Sequence, residues 1–389
     1  MSFREDVSLS AIVAGFITVL VGLSGGGVIV FQAAQSLGAS PTEIASWIWA
    51  LGIGIGITSI VLSAYYRKPV ITAWSTPGAA MLITAAAGLS MAEAVGAFLT
   101  CAVLMTICGF SGWFERVMNL IPLPLAAGML AGILLRFGLN AFSVMQTQFV
   151  MAAAMFGLYL VMRRTAPRYA VLSALIIGIL MAGLQGLLKL EAVQFQFAQP
   201  VFVAPAFSIS AVVGVGLPLF LVTMASQNMP GVATIRAFGY DTPISPLIGW
   251  TGITTVVLAP FGGFTFNLAA ITAALSMGPE AHKDPNKRYV AAIATGVFYI
   301  IVGLFGTTVS SLFAALPEEL VMEIAGLALL STIGKSLVTA LGNERDRDSA
   351  LITFLVTASG LSLFGIGAAF WGLSAGLLAI ALLGKPRLA

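Results

Sequence analysis

The chain has 389 residues, 59% hydrophobic and 8% charged, with 18 Lys+Arg against 15 Asp+Glu, one His and two Cys. A soluble domain needs about 25% charged residues to cover its surface, so a soluble globular protein is excluded, as are a disordered chain and a disulfide scaffold. What remains is an all-α polytopic membrane protein, and a net charge of +3 gives no reason to invoke nucleic acid.

Arg4, Glu5 and Asp6 precede the first apolar run, and no small-residue cleavage site closes it, so it reads as a retained span and not a signal peptide. One crossing takes about 20 apolar residues. Bounded by charges, Pro and Gly, the first half holds spans near 9–36, 42–65, 70–88, 91–111, 121–140, 148–163 and 169–189. The second half holds 209–234, 243–258, 259–277, 288–311, 318–341, 349–364 and 366–384, fourteen in all. The first span carries Gly22-Leu23-Ser24-Gly25-Gly26-Gly27, which permits close approach of a helix or a ligand.

The third run, Lys68 to Gly78, does not read as an ordinary helix. Val70 to Trp74 is β-branched and aromatic, which favours a strand. Ser75 or Thr76 then suits an N-cap, with Pro77 opening a half-helix. In the fourth span Cys101 and Cys108 lie seven apart, too far along a helix for a disulfide, and read as packing. Glu191 to Ser208, polar and Gln-rich, forms a linker at the middle of the chain.

The eighth span contains Leu217 to Gly231 with adjacent amides at Gln227 and Asn228 and a proline at Pro230. Amides in hydrocarbon need partners, so these two face a helix or a cavity. The run Thr254 to Asn267 is broken by Pro260, Gly262 and Gly263, and Thr265 or Asn267 can cap the helix that follows. Trp74, Phe264 and Phe266 flank the breaks and could line a slot for a flat ring, though packing is an equal reading. Glu323, a few residues into the twelfth span, is the deepest carboxylate. It is the best candidate for a proton carrier, against a plain first-turn Glu favoured by the helix dipole. His282 lies in a charged loop, where a structural role fits better.

With the N-terminus inside, sixteen of the eighteen basic residues fall on the cytoplasmic side, and only Arg136 and Lys189 fall outside. Both termini are then cytoplasmic. Ala73 to Ala80 can be laid on Gly263 to Ala270 at an offset of 190, and Pro122 on Pro317 at 195. Seven spans per half invert the second copy, a transporter signature. Two broken spans at matching places bring helix N-termini with free N–H groups together near the midplane, which makes an anion site without a formal charge. No His pair, buried acidic cluster or metal-ligand spacing is present. No catalytic residue, metal or cofactor is therefore expected, and an enzyme is disfavoured.

Longer motifs add a resemblance. Thr72 to Ala80, Met129 to Leu139, Ala166 to Val171, Leu217 to Gly231, Ala269 to Ala274, Pro279 to His282, Asn343 to Arg345 and Phe354 to Gly360 resemble the BenE-type benzoate membrane transport family over essentially the whole chain. The chain is more distantly similar to the uracil-permease fold. The resemblance implies a bacterial inner-membrane carrier importing benzoate or a similar aromatic carboxylate with protons, by an elevator movement, with no cofactor. It implies a core domain from 1–120 and 209–316, a gate domain from 121–190 and 317–389, a periplasmic linker at 191–208, and homodimers through the gate. Substrate would lie near Trp74, Ser75, Thr76, Gly78, Gln227, Asn228, Phe264, Thr265, Phe266 and Asn267. Nucleobase carriers of the distant fold place Glu in spans 8 and 10, where this chain has Gln227 and Phe266. That departure suits an anionic substrate. A carrier of another small anion or a nucleobase, or an anion channel, is the alternative.

Overall fold

The computed structural model describes residues 6–86, 88–113, 122–364, 366 and 368–383. Arg4, Glu5, Arg116, Lys385, Arg387 and the expected start of the fifth span at 121 lie outside the described residues.

Helix starts follow local chemistry. α1 (Leu9–Ser36) opens where Ser8 Oγ accepts Ala11 N–H, and its glycine run forms a π-helical turn over Leu23–Gly27. α2 (Pro41–Tyr66) begins with a capping box: Ser40 Oγ accepts Glu43 N–H, and the Glu43 carboxylate accepts Ser40 N–H. β1 (Thr72–Ala73) leads into α3 (Thr76–Ala85). A second capping box, Ser90 with Glu93, opens α4 (Met91–Phe110). Then come α5 (Leu123–Ser143), α6 (Phe149–Thr165) and α7 (Ala170–Leu184).

The second half starts with α8 (Ile209–Ala237), which contains π-helical turns at Val212–Gly216 and Met224–Asn228. α9 (Ile244–Leu258), β2 (Asn267–Leu268), α10 (Ile271–Met277), α11 (Tyr289–Leu304) and α12 (Gly306–Ala314) follow. α13 (Glu318–Leu341), α14 (Arg347–Ala358) and α15 (Ala368–Leu383) complete the chain. Among the described residues nine helical segments are long and apolar enough to cross a membrane. The other apolar runs hold shorter helices, of which α3 and α10 have 10 and 7 residues because the backbone before each is extended.

The largest apolar cluster joins α1 to α4 with α8, α9 and α11, and reaches Met129, Ile133 and Phe137 of α5. α11 lies along α2 so closely that a Cβ on Gly52 would fall 2.6 Å from Gly303 Cα. Small residues allow this crossing, since lipid supplies no hydrophobic drive for helix association. A separate cluster packs α6 and α7 on α13 through Met151, Met155, Ala174, Leu320 and Ile324. α14 lies on α5 and α15. The expected linker is an extended strap fastened to the first body. Ser46 Oγ accepts Val201 N–H and donates to Phe261 carbonyl, Val203 N–H reaches Pro260 carbonyl, and Ala206 N–H reaches Ala92 carbonyl.

Candidate functional site

Two extended segments in an apolar interior must have their backbone groups satisfied by side chains or by each other. β1 and β2 pair antiparallel, Thr72 with Leu268 and Ala73 with Asn267. Small hydroxyl residues on α2 take backbone groups of β1 and of Val70 just before it. Ser63 accepts Val70 N–H at 3.0 Å and donates to Val70 carbonyl at 2.8 Å, and Ser59 accepts Thr72 N–H at 3.1 Å. On the other strand Thr255 Oγ accepts Phe266 N–H (3.1 Å), and Asn228 Oδ1 accepts Leu268 N–H (3.0 Å). Ser59 and Ser63, one turn apart in an apolar helix, were the sequence signal for this support, and sequence reasoning passed over them.

The crossing of the strands gathers six of the expected residues, Trp74, Ser75, Thr76, Gly78, Thr265 and Asn267. Ser75 is the N-cap of α3, its hydroxyl accepting Gly78 N–H at 3.0 Å. Its own N–H reaches Thr265 Oγ1 at 3.3 Å. In the orientation its neighbours require, Asn267 donates from its amide nitrogen to Ala73 carbonyl (3.3 Å) and accepts Ser75 N–H (3.2 Å). Trp74 is buried, with its ring edge-on to Tyr299 of α11 at 5.8 Å between centroids. Its indole nitrogen and Thr76 Oγ1 close on Gly26 in the π-helical turn of α1, where a Cβ would lie 2.5 and 2.9 Å from them. The glycine run therefore admits this corner of the site. Gly26 and Tyr299 were not expected from the sequence as site neighbours.

The second half-helix differs from expectation. α10 starts at Ile271 on Ala270, which makes no side-chain cap, so neither Thr265 nor Asn267 caps it. After α9 the chain spends a 3₁₀ turn over Ala259–Phe261 and a left-handed Gly262 before it can extend, and the strand then delays the helix. Thr72 to Asn267 and Thr76 to Ile271 are each 195 residues apart. That spacing is the one between Pro122 and Pro317, and differs from the offset of 190 at which Ala73 to Ala80 is laid on Gly263 to Ala270. Gly262, at φ 97, lies against Trp47 so closely that no Cβ fits.

Other expected residues lie around this centre. Phe264 is fully buried between Trp47 (5.8 Å) and Phe98 (6.1 Å), and Phe266 is fully buried against Gly54 of α2. Asn228 is fully buried, and its carbonyl is taken by Leu268. Gln227 is half-buried and has no hydrogen bond among the described residues. Glu323 is fully buried on α13 with no partner for either carboxylate oxygen, and shares no hydrogen bond or ion pair with the centre. It lies past the first turn of α13, which opens at Glu318. His282 Nδ1 accepts Asp284 N–H at 3.0 Å and orders its loop. Among the described residues no group of three or more His, Cys, Asp or Glu could hold a metal.

The arrangement offers a buried helix N-terminus, small hydroxyls, amides and aromatic rings without a formal charge. A family model described as "Benzoate membrane transport protein" matches residues 5–382. The chain is 50% identical over 365 residues to the inner membrane protein YdcO of Escherichia coli (strain K12), covering 94% of this chain and 93% of that protein. It is 42% identical over 386 residues to the benzoate membrane transport protein of Acinetobacter baylyi (strain ATCC 33305 / BD413 / ADP1), covering 99% and 98%. Among solved structures, SLC26A9 matches with a TM-score of 0.62 at 12% identity, over 96% of this chain and 66% of that one. The transmembrane domain of the cyanobacterial bicarbonate transporter BicA matches with a TM-score of 0.55 at 12% identity, over 95% and 96%. At such identities these two show a shared fold alone.

Proposed function

The chain belongs to the benzoate membrane transport protein family and is a multi-pass membrane transporter, not an enzyme; from that premise we propose that it imports benzoate or a related small aromatic carboxylate across the bacterial inner membrane. One observation carries the anion reading: the N-terminus of α3, capped by Ser75, lies buried beside Trp74, Thr76 and Gly26, with no formal charge among the residues proposed to bind. A carboxylate there accepts the free N–H of Thr76 and gains from the dipole of the helix. Gln227, whose amide is uncommitted, donates a further hydrogen bond, and Trp74 flanks the ring. Asn228, Thr265 and Asn267 hold the strand crossing that places these groups, and Phe264 and Phe266 form its apolar backing.

The chain crosses the membrane fourteen times as two inverted copies, with both termini cytoplasmic. The 195-residue spacing of the strand and helix starts supports that reading. The core (1–120 and 209–316) moves as an elevator against the gate (121–190 and 317–389), and two copies meet through their gates. The separate packing of α6, α7 and α13 supports such a division, as does the fastening of both strands and the 191–208 strap to core helices. Uptake is coupled to protons, and Glu323 carries the proton: an unpaired buried carboxylate is costly as a charge and is retained where it has work to do.

Purified protein in proteoliposomes, given labelled benzoate and an inward proton gradient, is expected to show saturable uptake that an ionophore collapses. No uptake above protein-free vesicles, by protein shown to be folded, refutes the reading.

A further inference from the structure

α8 carries a buried hydroxyl, that of Thr223, outside the residues placed around the strand crossing. Thr223 is fully buried, and its Oγ1 has no hydrogen-bond partner. Threonines inside apolar helices ordinarily donate to the carbonyl one turn back. Thr18, Thr58, Thr106, Thr255 and Thr295 all do so in this protein. Thr223 does not, and neither does Thr357 of α14, and a buried unpaired hydroxyl calls for an explanation.

Its position supplies one. Leu219, four residues earlier and so on the same face, touches the first turn of α3, since a Cβ on Gly78 would lie 2.8 Å from Leu219 Cδ1. Asn228, five residues later, binds Leu268 of β2, and the π-helical turn Met224–Asn228 brings a residue five along back to the same face. Leu268 is level with Thr72 in the strand pair. The face of α8 that carries Thr223 is thus pinned on one side to the first turn of α3 and on the other to β2. At about 1.5 Å per residue Thr223 stands roughly 6 Å beyond Leu219 along α8, between the contact of that helix with α3 and its contact with β2. At the junction where β1 ends and α3 begins, Ser75 Oγ is committed to Gly78 N–H, and the N–H of Thr76 has no hydrogen bond among the described residues.

We infer that Thr223 is a substrate-binding residue, its hydroxyl donating to a carboxylate oxygen held at the N-terminus of α3. The inference rests on the anion reading of the site. The bound oxygen accepts Thr223 O–H and Thr76 N–H together, which gives the hydroxyl the partner it otherwise lacks.

Valine is nearly isosteric with threonine and removes only the hydroxyl. Purified wild type, T223V and T223S are compared in detergent for thermal unfolding without ligand and for equilibrium binding of labelled benzoate. T223V is expected to unfold no earlier than wild type, since an unpaired hydroxyl adds no stability, while its affinity for benzoate falls about tenfold or more. T223S keeps the donor and stays within about threefold of wild type. Unchanged benzoate affinity in T223V overturns the inference and leaves the anion reading standing. Earlier unfolding of ligand-free T223V overturns it too, because the hydroxyl would then have an internal partner. If the wild type does not bind benzoate at all, the anion reading fails and this inference with it.

Discussion

Asn228→Ala separates the two roles an amide can play in the eighth span. Asn228 and Leu268 are both fully buried, at 0% exposure, and are joined by a 3.0 Å hydrogen bond from Leu268 N–H to Asn228 Oδ1. Alanine deletes the acceptor and leaves that N–H buried and unpaired, at a cost of about 1–3 kcal/mol. Against a total stability of about 5–15 kcal/mol this is a large fraction. Since β2 registers with β1 through Asn267 and Leu268, the loosened strand also disturbs the groups around Ser75. Thermal unfolding of the ligand-free protein in detergent is expected to fall by several degrees. Asn228→Asp, which keeps an acceptor oxygen, recovers the bond to Leu268 but buries a charge, and does not regain wild-type stability. The assay is the unfolding midpoint with and without saturating benzoate. An unchanged ligand-free midpoint in Asn228→Ala, together with lost benzoate binding, would refute the reasoning and make Asn228 a direct ligand.

Further outcomes can be stated from the same geometry. Glu323→Gln is expected to abolish acid-driven benzoate uptake while sparing benzoate exchange across proteoliposomes; intact acid-driven uptake eliminates Glu323 as the carrier. Gly262→Ala forces a left-handed backbone on alanine and drives its methyl into Trp47, and is expected to cost about 1–3 kcal/mol or more, read as poor recovery of folded protein. The Arg168–Glu280 pair is 3.5 Å apart and 42% and 62% exposed, so Arg168→Ala changes the unfolding midpoint by less than about 1 kcal/mol equivalent. The hydrogen bond from Tyr289, with Lys287 beside it, holds the Asp6 carboxyl below its usual range. A carboxyl lowered in the folded state stabilises above its unfolded pKa, and that contribution disappears as pH falls through the folded value. Asp6→Asn should therefore flatten the stability profile below about pH 4 and leave its shape at neutral pH unaltered, as unfolding midpoints across that range will show.

Much of the site was legible because broken helices leave local marks. Lys68 to Gly78 announced strand, cap and half-helix in order, and Ser75 caps as its position before Pro77 suggested. The second break was legible as a break, at Pro260, Gly262 and Gly263, but not in register. Thr265 and Asn267 are good capping residues in isolation, and only the turn and strand inserted before α10 move them off that duty. The amide pair shows a different limit. Sequence told that Gln227 and Asn228 need partners, and two adjacent residues on a helix point different ways. One is committed to Leu268 and the other is uncommitted, which depends on how the π-helical turn rotates them. Thr223 gave no signal at all, because a threonine in an apolar helix is expected to bond its own backbone.

By itself the sequence determined the solvent, the helical class and the two places where the backbone had to break. These follow from composition, charge placement and the short-range demands of Pro, Gly and capping residues, each readable within a few positions. Tertiary structure decided which polar group serves which. Inside an apolar protein every N–H and carbonyl must find a partner, and the partners of β1 and β2 come from α2, α8 and α9, as far away in the chain as Asn228 is from Leu268, 40 residues. Those pairings commit Asn228, Thr265 and Asn267 to the strands and leave the N–H of Thr76 and the hydroxyl of Thr223 without a partner among the described residues, a division that depends on helix rotation and register and so could not be read from neighbours in sequence.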